Sequence, residues 1–199
     1  MKNEKRQLQF KSLFRNWTIK DYIESIISVG GVFFLAVLTT IFAGVSIIKH
    51  IAIPPQAYAI PFGFWAFFSG WWYDNLLHRT LFRDRITEAE LLIHNLMTYG
   101  SGYIFLFLSI LSFWFKSFLM PFVFVFLMLK TMYSIFDESM HWKRYENNDS
   151  NNLEMFAHYL QFLGVSLYSF AFVYWIYFTN YSNAGRVINE TYLLFLHLF

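Results

Sequence analysis

The chain has 199 residues, of which 57% are hydrophobic, 23% aromatic and 14% charged. Soluble domains carry about a quarter charged residues, so this composition excludes an ordinary water-soluble fold. A net charge of +2 is too small for a nucleic-acid-binding protein. The absence of cysteine excludes disulfides, thiolate metal sites and cysteine nucleophiles.

Uncharged stretches of about 20 residues recur along the chain, and this is the length that crosses about 30 Å of hydrocarbon. They predict an all-α integral membrane protein, a five-span helical bundle. The basic residues 1–24 are interpreted as a cytoplasmic arm, and residues 25–199 as one transmembrane domain. The spans are expected at about residues 25–48, 57–77, 95–115, 118–136 and 159–178, with a tight turn at Lys116 and Ser117.

Basic residues are distributed unequally between the two sides of this arrangement. The N-terminal arm and the loops 78–94 and 141–158 carry eleven Lys and Arg residues, whereas the opposite side carries Lys49, Lys116 and Arg186. Cytoplasmic segments are enriched in Lys and Arg. The sequence therefore predicts a multi-pass cell-membrane protein with a cytoplasmic N-terminus and both of these loops on the same side.

Acidic residues and histidines recur in two hairpins, at about residues 57–115 and 117–178. In each hairpin an Asp is followed four residues later by His, then after a loop by Glu and, four residues on, by a second His. The two copies are Asp74, His78, Glu90 and His94, then Asp137, His141, Glu154 and His158. A glycine follows six residues later in each copy, at Gly100 and Gly164, and is expected to allow close helix packing.

This spacing indicates a metal site. Residues i and i+4 of a helix share one face, so four helix ends can each present a carboxylate or imidazole to a common centre of one or two ions. Imidazole with carboxylate suits a transition metal, and copper or iron is the cofactor we expect.

Ordinary structural roles explain some of these residues equally well. Thr87 with Glu90, and Asn151 with Glu154, could form capping boxes at helix N-termini. Asp74 and Asp137 have no such explanation, because a carboxylate in the last turn of a helix opposes the helix dipole.

Residues outside the repeat are open to two interpretations each. Lys130, two turns before Asp137, is either a buried counter-ion or a snorkelling side chain. Arg79, Arg83 and Arg144 are interpreted as positive-inside anchors. The Trp-rich run at residues 65–73 is interpreted as an interfacial belt, with a substrate-pocket lining as the alternative.

The stretch from Asp74 through His78 and Thr80 to Arg83-Asp84 resembles the metal-binding segment of the C subunit of copper membrane monooxygenases, the methane and ammonia monooxygenase family. Asp137 and His141 occupy the place of the family's second site. Glu90 and Glu154 stand where the family has a third His, and Asp137 stands where it has Asn. The resemblance implies a monooxygenase-like membrane oxidoreductase that works with partner subunits.

The residues and the resemblance together favour a membrane metalloenzyme that uses O2 to oxidise a small or apolar substrate. Its expected partners are the lipid bilayer and either other membrane subunits or further copies of itself. The alternatives are a metal or proton carrier, a haem-binding electron-transfer subunit with His94 and His158 as axial ligands, and a metal-dependent lipid hydrolase.

Overall fold

The computed structural model describes residues 17–80, 87–147 and 152–198, and these are helical with no strand among them. The α-helices are α1 (Ile19–Ile48), α2 (Ala59–Thr80), α3 (Glu88–Asn95), α4 (Tyr103–Glu146), α5 (Asn152–Val173) and α6 (Ala184–Leu198). A 3₁₀ turn, Pro55–Tyr58, leads into α2, and π-helical segments at Leu96–Gly102 and Tyr174–Phe178 extend α3 and α5. The all-helical class predicted from composition is confirmed.

Helix α4 is two helices joined at a sharp reversal. Phe115 has non-helical backbone angles (φ −125°, ψ 39°), and Pro121 lies inside the helix that follows. Nε2 of His94 lies 2.8 Å from Oδ1 of Asp137, and Phe115 is midway between them in sequence. The chain therefore folds back on itself at Phe115, close to the predicted turn at Lys116 and Ser117.

The closest helix pair in the fold is α2 with α5, which run antiparallel. A Cβ added to Gly63 would lie 2.6 Å from the backbone nitrogen of Tyr168, and one added to Gly164 would meet the backbone nitrogen of Phe67. Only glycine permits such an approach between backbones. The predicted role of Gly164 is confirmed, whereas Gly100 meets only the side chain of Leu96, on its own helix.

Every span begins or ends further into the polar segments than the predicted boundaries. Helix α1 begins at Ile19 rather than near residue 25, because Thr18 and Asp21 form a reciprocal capping box. Helix α4 continues to Glu146 and α2 to Thr80. The expectation that Asp74 and Asp137 lie in the last turn of a helix is wrong: each lies more than one turn inside it.

The opposite end of the bundle gathers the other loops. The amide of Asn183 donates to the carbonyl of Ala52, and Nζ of Lys116 donates to Oδ1 of Asn180 at 3.2 Å. Helix α6 packs against α1, where Nζ of Lys49 lies 3.2 Å from Oε2 of Glu190. The three basic residues that the sequence assigned to one side thus belong to segments that meet at one end.

The outer surface of the bundle is apolar. Large hydrophobic side chains are exposed along α1, the second half of α4 and α5, including Ile23, Ile26, Phe34, Phe118, Phe122, Met128, Phe162 and Phe170. Three helical stretches among the described residues are long and apolar enough to cross a membrane: Ile19–Ile48, Glu88–Glu146 and Asn152–Phe178. The second of these contains the reversal at Phe115.

Candidate metal centre

All eight repeat residues converge at one end of the bundle. They come from α2, α3, the second half of α4, and α5, and seven are buried, with the side chain of His94 11% exposed. Antiparallel helices arrange them in two layers. The inner layer contains Asp74, His158, Asp137 and His94, and the outer layer contains His78, Glu90, His141 and Glu154.

The inner layer consists of two acid–imidazole pairs that link the two hairpins. Nε2 of His158 hydrogen-bonds to Oδ1 of Asp74 at 3.1 Å, and Nε2 of His94 lies 2.8 Å from Oδ1 of Asp137. The first pair maps onto the second when the repeat copies are exchanged. These two contacts therefore follow a pseudo-two-fold symmetry and join the hairpins, while within each hairpin Nε2 of His78 lies 3.2 Å from Oδ1 of Asp74 and Nε2 of His141 lies 3.5 Å from Oδ1 of Asp137.

The outer layer follows the same symmetry in its contacts between hairpins and departs from it within them. Nε2 of His78 lies 3.6 Å from both Oε1 of Glu90 and Oε1 of Glu154. On the other side, Nε2 of His141 lies 3.5 Å from Oε1 of Glu90, and its Nδ1 hydrogen-bonds to Glu154 at 2.9 Å. A carboxylate on Nδ1 orients an imidazole so that Nε2 can bind a metal.

Three imidazole rings lie close together. The centroids of His78, His94 and His141 lie 5.2, 5.5 and 5.8 Å apart, and the rings are parallel within 13°. An ion about 2.1 Å from Nε2 lies about 3.2 Å from the ring centroid, which is the distance from the corners of such a triangle to its centre. The sets of donor atoms that lie within 4.8 Å of one another join these rings two at a time, each set with a carboxylate.

The Nε2 atoms of these three histidines are buried and, among the described residues, none has a hydrogen bond of acceptable geometry. Oδ1 of Asp137 is in the same condition. Buried polar atoms normally have partners, since leaving one without costs about 1–3 kcal/mol. Nitrogen and oxygen atoms that crowd together without hydrogen-bond geometry fit the donor set of a cation.

Sets of these side chains place one donor atom each within 4.8 Å of one another. The sets are His78 with His141, Glu154 and His158; Asp74 with His78 and His94; and Glu90 with His94 and His141. The buried groups could therefore hold a metal ion.

Arg144 is part of this centre, which the sequence did not indicate. Its Nη1 donates to both oxygens of Glu90 at 2.9 and 3.0 Å, and its Nη2 donates to Glu154 and lies 2.6 Å from Nδ1 of His141. The interpretation of Arg144 as a surface anchor is wrong, because its side chain is 10% exposed and bridges both hairpins. Its position three residues after His141 was the only available signal.

The capping interpretation of Glu90 holds for its backbone and not for its side chain. Thr87 caps α3 by accepting a hydrogen bond from the backbone N–H of Glu90, while the Glu90 carboxylate binds Arg144. The corresponding proposal for Glu154 involves Asn151, which lies outside the described residues.

Arg79 is also not a simple anchor. Its guanidinium donates to Asp21 at 3.0 Å and Glu24 at 3.1 Å, and its Nε donates to Asn75. These bonds connect the first turns of α1 with the C-terminal end of α2, one residue after His78. The other basic residue of that loop interpreted as an anchor, Arg83, lies outside the described residues.

Lys130 follows neither of its two interpretations. Its side chain is buried, donates to the hydroxyl of Tyr168 and lies 4.7 Å from the ring centroid of Tyr168 and 5.3 Å from that of Phe67. It therefore neither snorkels to the surface nor pairs with Asp137, and its charge faces two aromatic rings.

Two openings formed by described residues reach the centre. A cleft of about 490 Å³ between α1, α2 and α3 extends from Lys20 and Glu24 to Asp74, His78 and His94. A smaller cavity of about 40 Å³ inside the bundle reaches Asp137 and His158. Its remaining lining is mainly apolar and includes Val32, Leu35, Phe64, Met97, Leu106 and Val165, together with Trp71 from the Trp-rich run.

Charge balance also favours a cation. Among the described residues, the centre contains four buried carboxylates and one guanidinium, which pairs with two of them, and this leaves three negative charges if the imidazoles are neutral. Uncompensated buried charge is strongly unfavourable. A divalent or trivalent ion bound by the imidazole nitrogens would offset it, and the donor set of nitrogen and oxygen suits iron, copper, zinc or manganese.

Comparison with known proteins gives no relative: no family model, curated protein or solved structure matches the chain.

Proposed function

We propose that this chain is an integral membrane metalloprotein that oxidises a small or apolar substrate with O2 at its histidine–carboxylate centre. The observation that carries the proposal is the group of three neighbouring imidazoles, His78, His94 and His141, whose buried Nε2 atoms have no hydrogen bond of acceptable geometry among the described residues. The resemblance of residues 74–87 to the C subunit of copper membrane monooxygenases adds support from the sequence.

The membrane setting follows from the distribution of polarity. Charged and polar side chains lie inside the bundle, and large apolar side chains face outward. Lipid requires this arrangement, because it cannot hydrogen-bond with exposed polar groups. We propose five spans, as in the sequence interpretation: the three long apolar stretches, with the second divided at Phe115, and α2.

The ion that we propose is iron or copper. Such an ion would supply one-electron chemistry and the activation of O2. The overall change is balanced when a C–H bond of the substrate, O2, two electrons and two protons give an alcohol and water. The two electrons come from an external reductant, which we assign to the quinol class because quinols dissolve in the bilayer.

The side chains around the ion have distinct tasks. Glu154 orients His141 through Nδ1, and Asp74 holds Nε2 of His158. Glu138, whose side chain is 40% exposed, places Oε2 3.5 Å from Nδ1 of His158. It therefore connects the buried centre with solvent and is placed to transfer protons to it.

The inner cavity accounts for the class of substrate. Its volume of about 40 Å³ exceeds the roughly 10–15 Å³ that one water molecule needs, so it accepts a molecule of a few heavy atoms. Apolar side chains make up most of its lining, which favours an apolar guest over a charged one.

The test is metal analysis, absorption spectroscopy and O2 uptake on protein purified in detergent without added metal. We expect bound iron or copper, no Soret band, and O2 uptake that depends on a quinol and on a small alkene probe such as propene. A Soret band would indicate haem and contradict the proposal. Protein containing only zinc, without O2 uptake, would indicate a hydrolase or carrier and contradict it as well.

The orientation in the membrane is a further proposal, with the N-terminus and the metal centre on the cytoplasmic side. Asn147→Cys, beside the centre, and Ser182→Cys, at the opposite end, introduce single thiols at exposed positions of a cysteine-free chain. In intact cells an impermeant maleimide should label Ser182→Cys, and Asn147→Cys only after permeabilisation. Labelling in the reverse order would overturn the orientation and leave the metal centre unaffected.

A further inference from the structure

A basic side chain bridges the two glutamates of the repeat. Glu90 and Glu154 are counterparts in the two hairpins, so a position between them lies on the pseudo-two-fold. The guanidinium of Arg144 lies at that position and donates to both carboxylates. A cation shared by two carboxylates is what a second metal ion would be in a dinuclear centre.

The remaining donors that a second ion would need are already engaged. Nε2 of His158 hydrogen-bonds to Asp74 at 3.1 Å, and Oε1 of Glu154 bonds to both Arg144 and His141. The Nε2 atoms without a hydrogen bond of acceptable geometry belong to His78, His94 and His141, whose ring centroids lie 5.2 to 5.8 Å apart. The donors thus differ: Nε2 of His158 and Oε1 of Glu154 have hydrogen bonds, and these three nitrogens have none.

The two copies of the repeat differ in sequence at the position of Arg144. With the copies aligned on Asp74 and Asp137, the counterpart of Arg144 is Leu81. Among the residues that the structure describes, the single guanidinium of Arg144 bridges both glutamates.

We propose that the centre holds one metal ion, bound by His78, His94 and His141, and that Arg144 occupies the place of a second. Glu90 and Glu154 thereby form a latent second cation site that Arg144 keeps closed. This inference rests on the proposed metal centre, and it specifies the number of ions and gives Arg144 a role.

The test counts ions with Mn²⁺ as the probe. Full-length protein in detergent is stripped with a chelator, reloaded with Mn²⁺ and desalted, and the Mn-to-protein ratio is measured. Wild type should bind one Mn²⁺ and show the EPR signal of an isolated ion. Arg144→Met should bind two, with the signal of a coupled pair, because ions in such centres lie about 3.5–4 Å apart.

Further variants test whether the positive charge of residue 144, rather than its shape, excludes a second ion. Arg144→Lys keeps a cation and should remain at one Mn²⁺, as should Lys143→Met, which removes the exposed neighbouring charge. The double variant Arg144→Met, Glu154→Gln should return to one. Arg144→Gln, a neutral side chain that can still hydrogen-bond, should bind two and serves if Arg144→Met does not fold.

The outcomes are distinct for the two proposals. Two Mn²⁺ ions in wild type, or one in both neutral Arg144 variants, would overturn this inference and leave the metal centre in place. No Mn²⁺ in wild type, together with no iron or copper in the protein as purified, would overturn the proposed function and this inference together.

Discussion

His141→Gln is expected to lower metal affinity by at least about 100-fold, which is the upper range for loss of a residue that merely supports a ligand. The imidazole of His141 is fully buried, and its Nε2 is one of the three without a hydrogen bond of acceptable geometry. Its Nδ1 is hydrogen-bonded to the carboxylate of Glu154. Glutamine fills much of the same space and presents an amide, which is a poor ligand for iron or copper. Titration of the stripped protein against a competing chelator measures the change.

His197→Gln is the matched control for this substitution. His197 is exposed on α6, outside the repeat, and its replacement should leave metal affinity and helix content at the wild-type level. Wild-type metal affinity in His141→Gln, with helix content unchanged by circular dichroism, would remove His141 from the set of ligands.

Gly164→Ala is expected to destabilise the fold by about 3 kcal/mol or more, the upper range for overpacking. The new Cβ would meet backbone atoms of Phe67 and Gly63, which cannot rotate away as a side chain could. Relief requires α2 and α5 to separate, and this separation would also pull Asp74 away from His158. We therefore expect lower thermal stability in detergent and reduced metal content in the same sample.

Gly44→Ala provides the comparison. Nothing lies within 4 Å of a Cβ added at Gly44, which lies inside α1. Alanine is favoured over glycine in a helix by about 0.5–1 kcal/mol, so this variant should match or exceed wild type in stability. Equal stability of Gly164→Ala and Gly44→Ala would show that α2 and α5 pack less closely than described.

The sequence predicted the convergence of the eight repeat residues because period and topology determine it together. An i, i+4 pair fixes a helix face, and two hairpins that open on one side bring their helix ends together. The reversal near Phe115 could also be predicted, since the charge of Lys116 interrupts an otherwise apolar stretch. The exact helix ends could not be predicted, because a cap such as Thr18 with Asp21 extends a helix beyond the apolar segment that indicates it.

The role of Arg144 could not be predicted from the sequence pattern, and the reason is physical. Basic residues near span ends are usually anchors, and a single chain does not reveal whether a given side chain points outward or back into the bundle. Its partners Glu90 and Glu154 are 54 and 10 residues away. Gly63 and Gly70, which pack α2 against α5, were likewise missed, because neither belongs to the repeated pattern.

The exchange of partners between hairpins bears on how such a chain could originate. The contacts of Asp74 with His158 and of Asp137 with His94 join the two hairpins, so a lone hairpin could form these contacts only by associating with a second, identical hairpin. Duplication and fusion would convert that homodimer into one polypeptide with an unchanged centre. In a homodimer every residue occurs twice, so one arginine shared by two glutamates is an arrangement that the fused chain makes accessible.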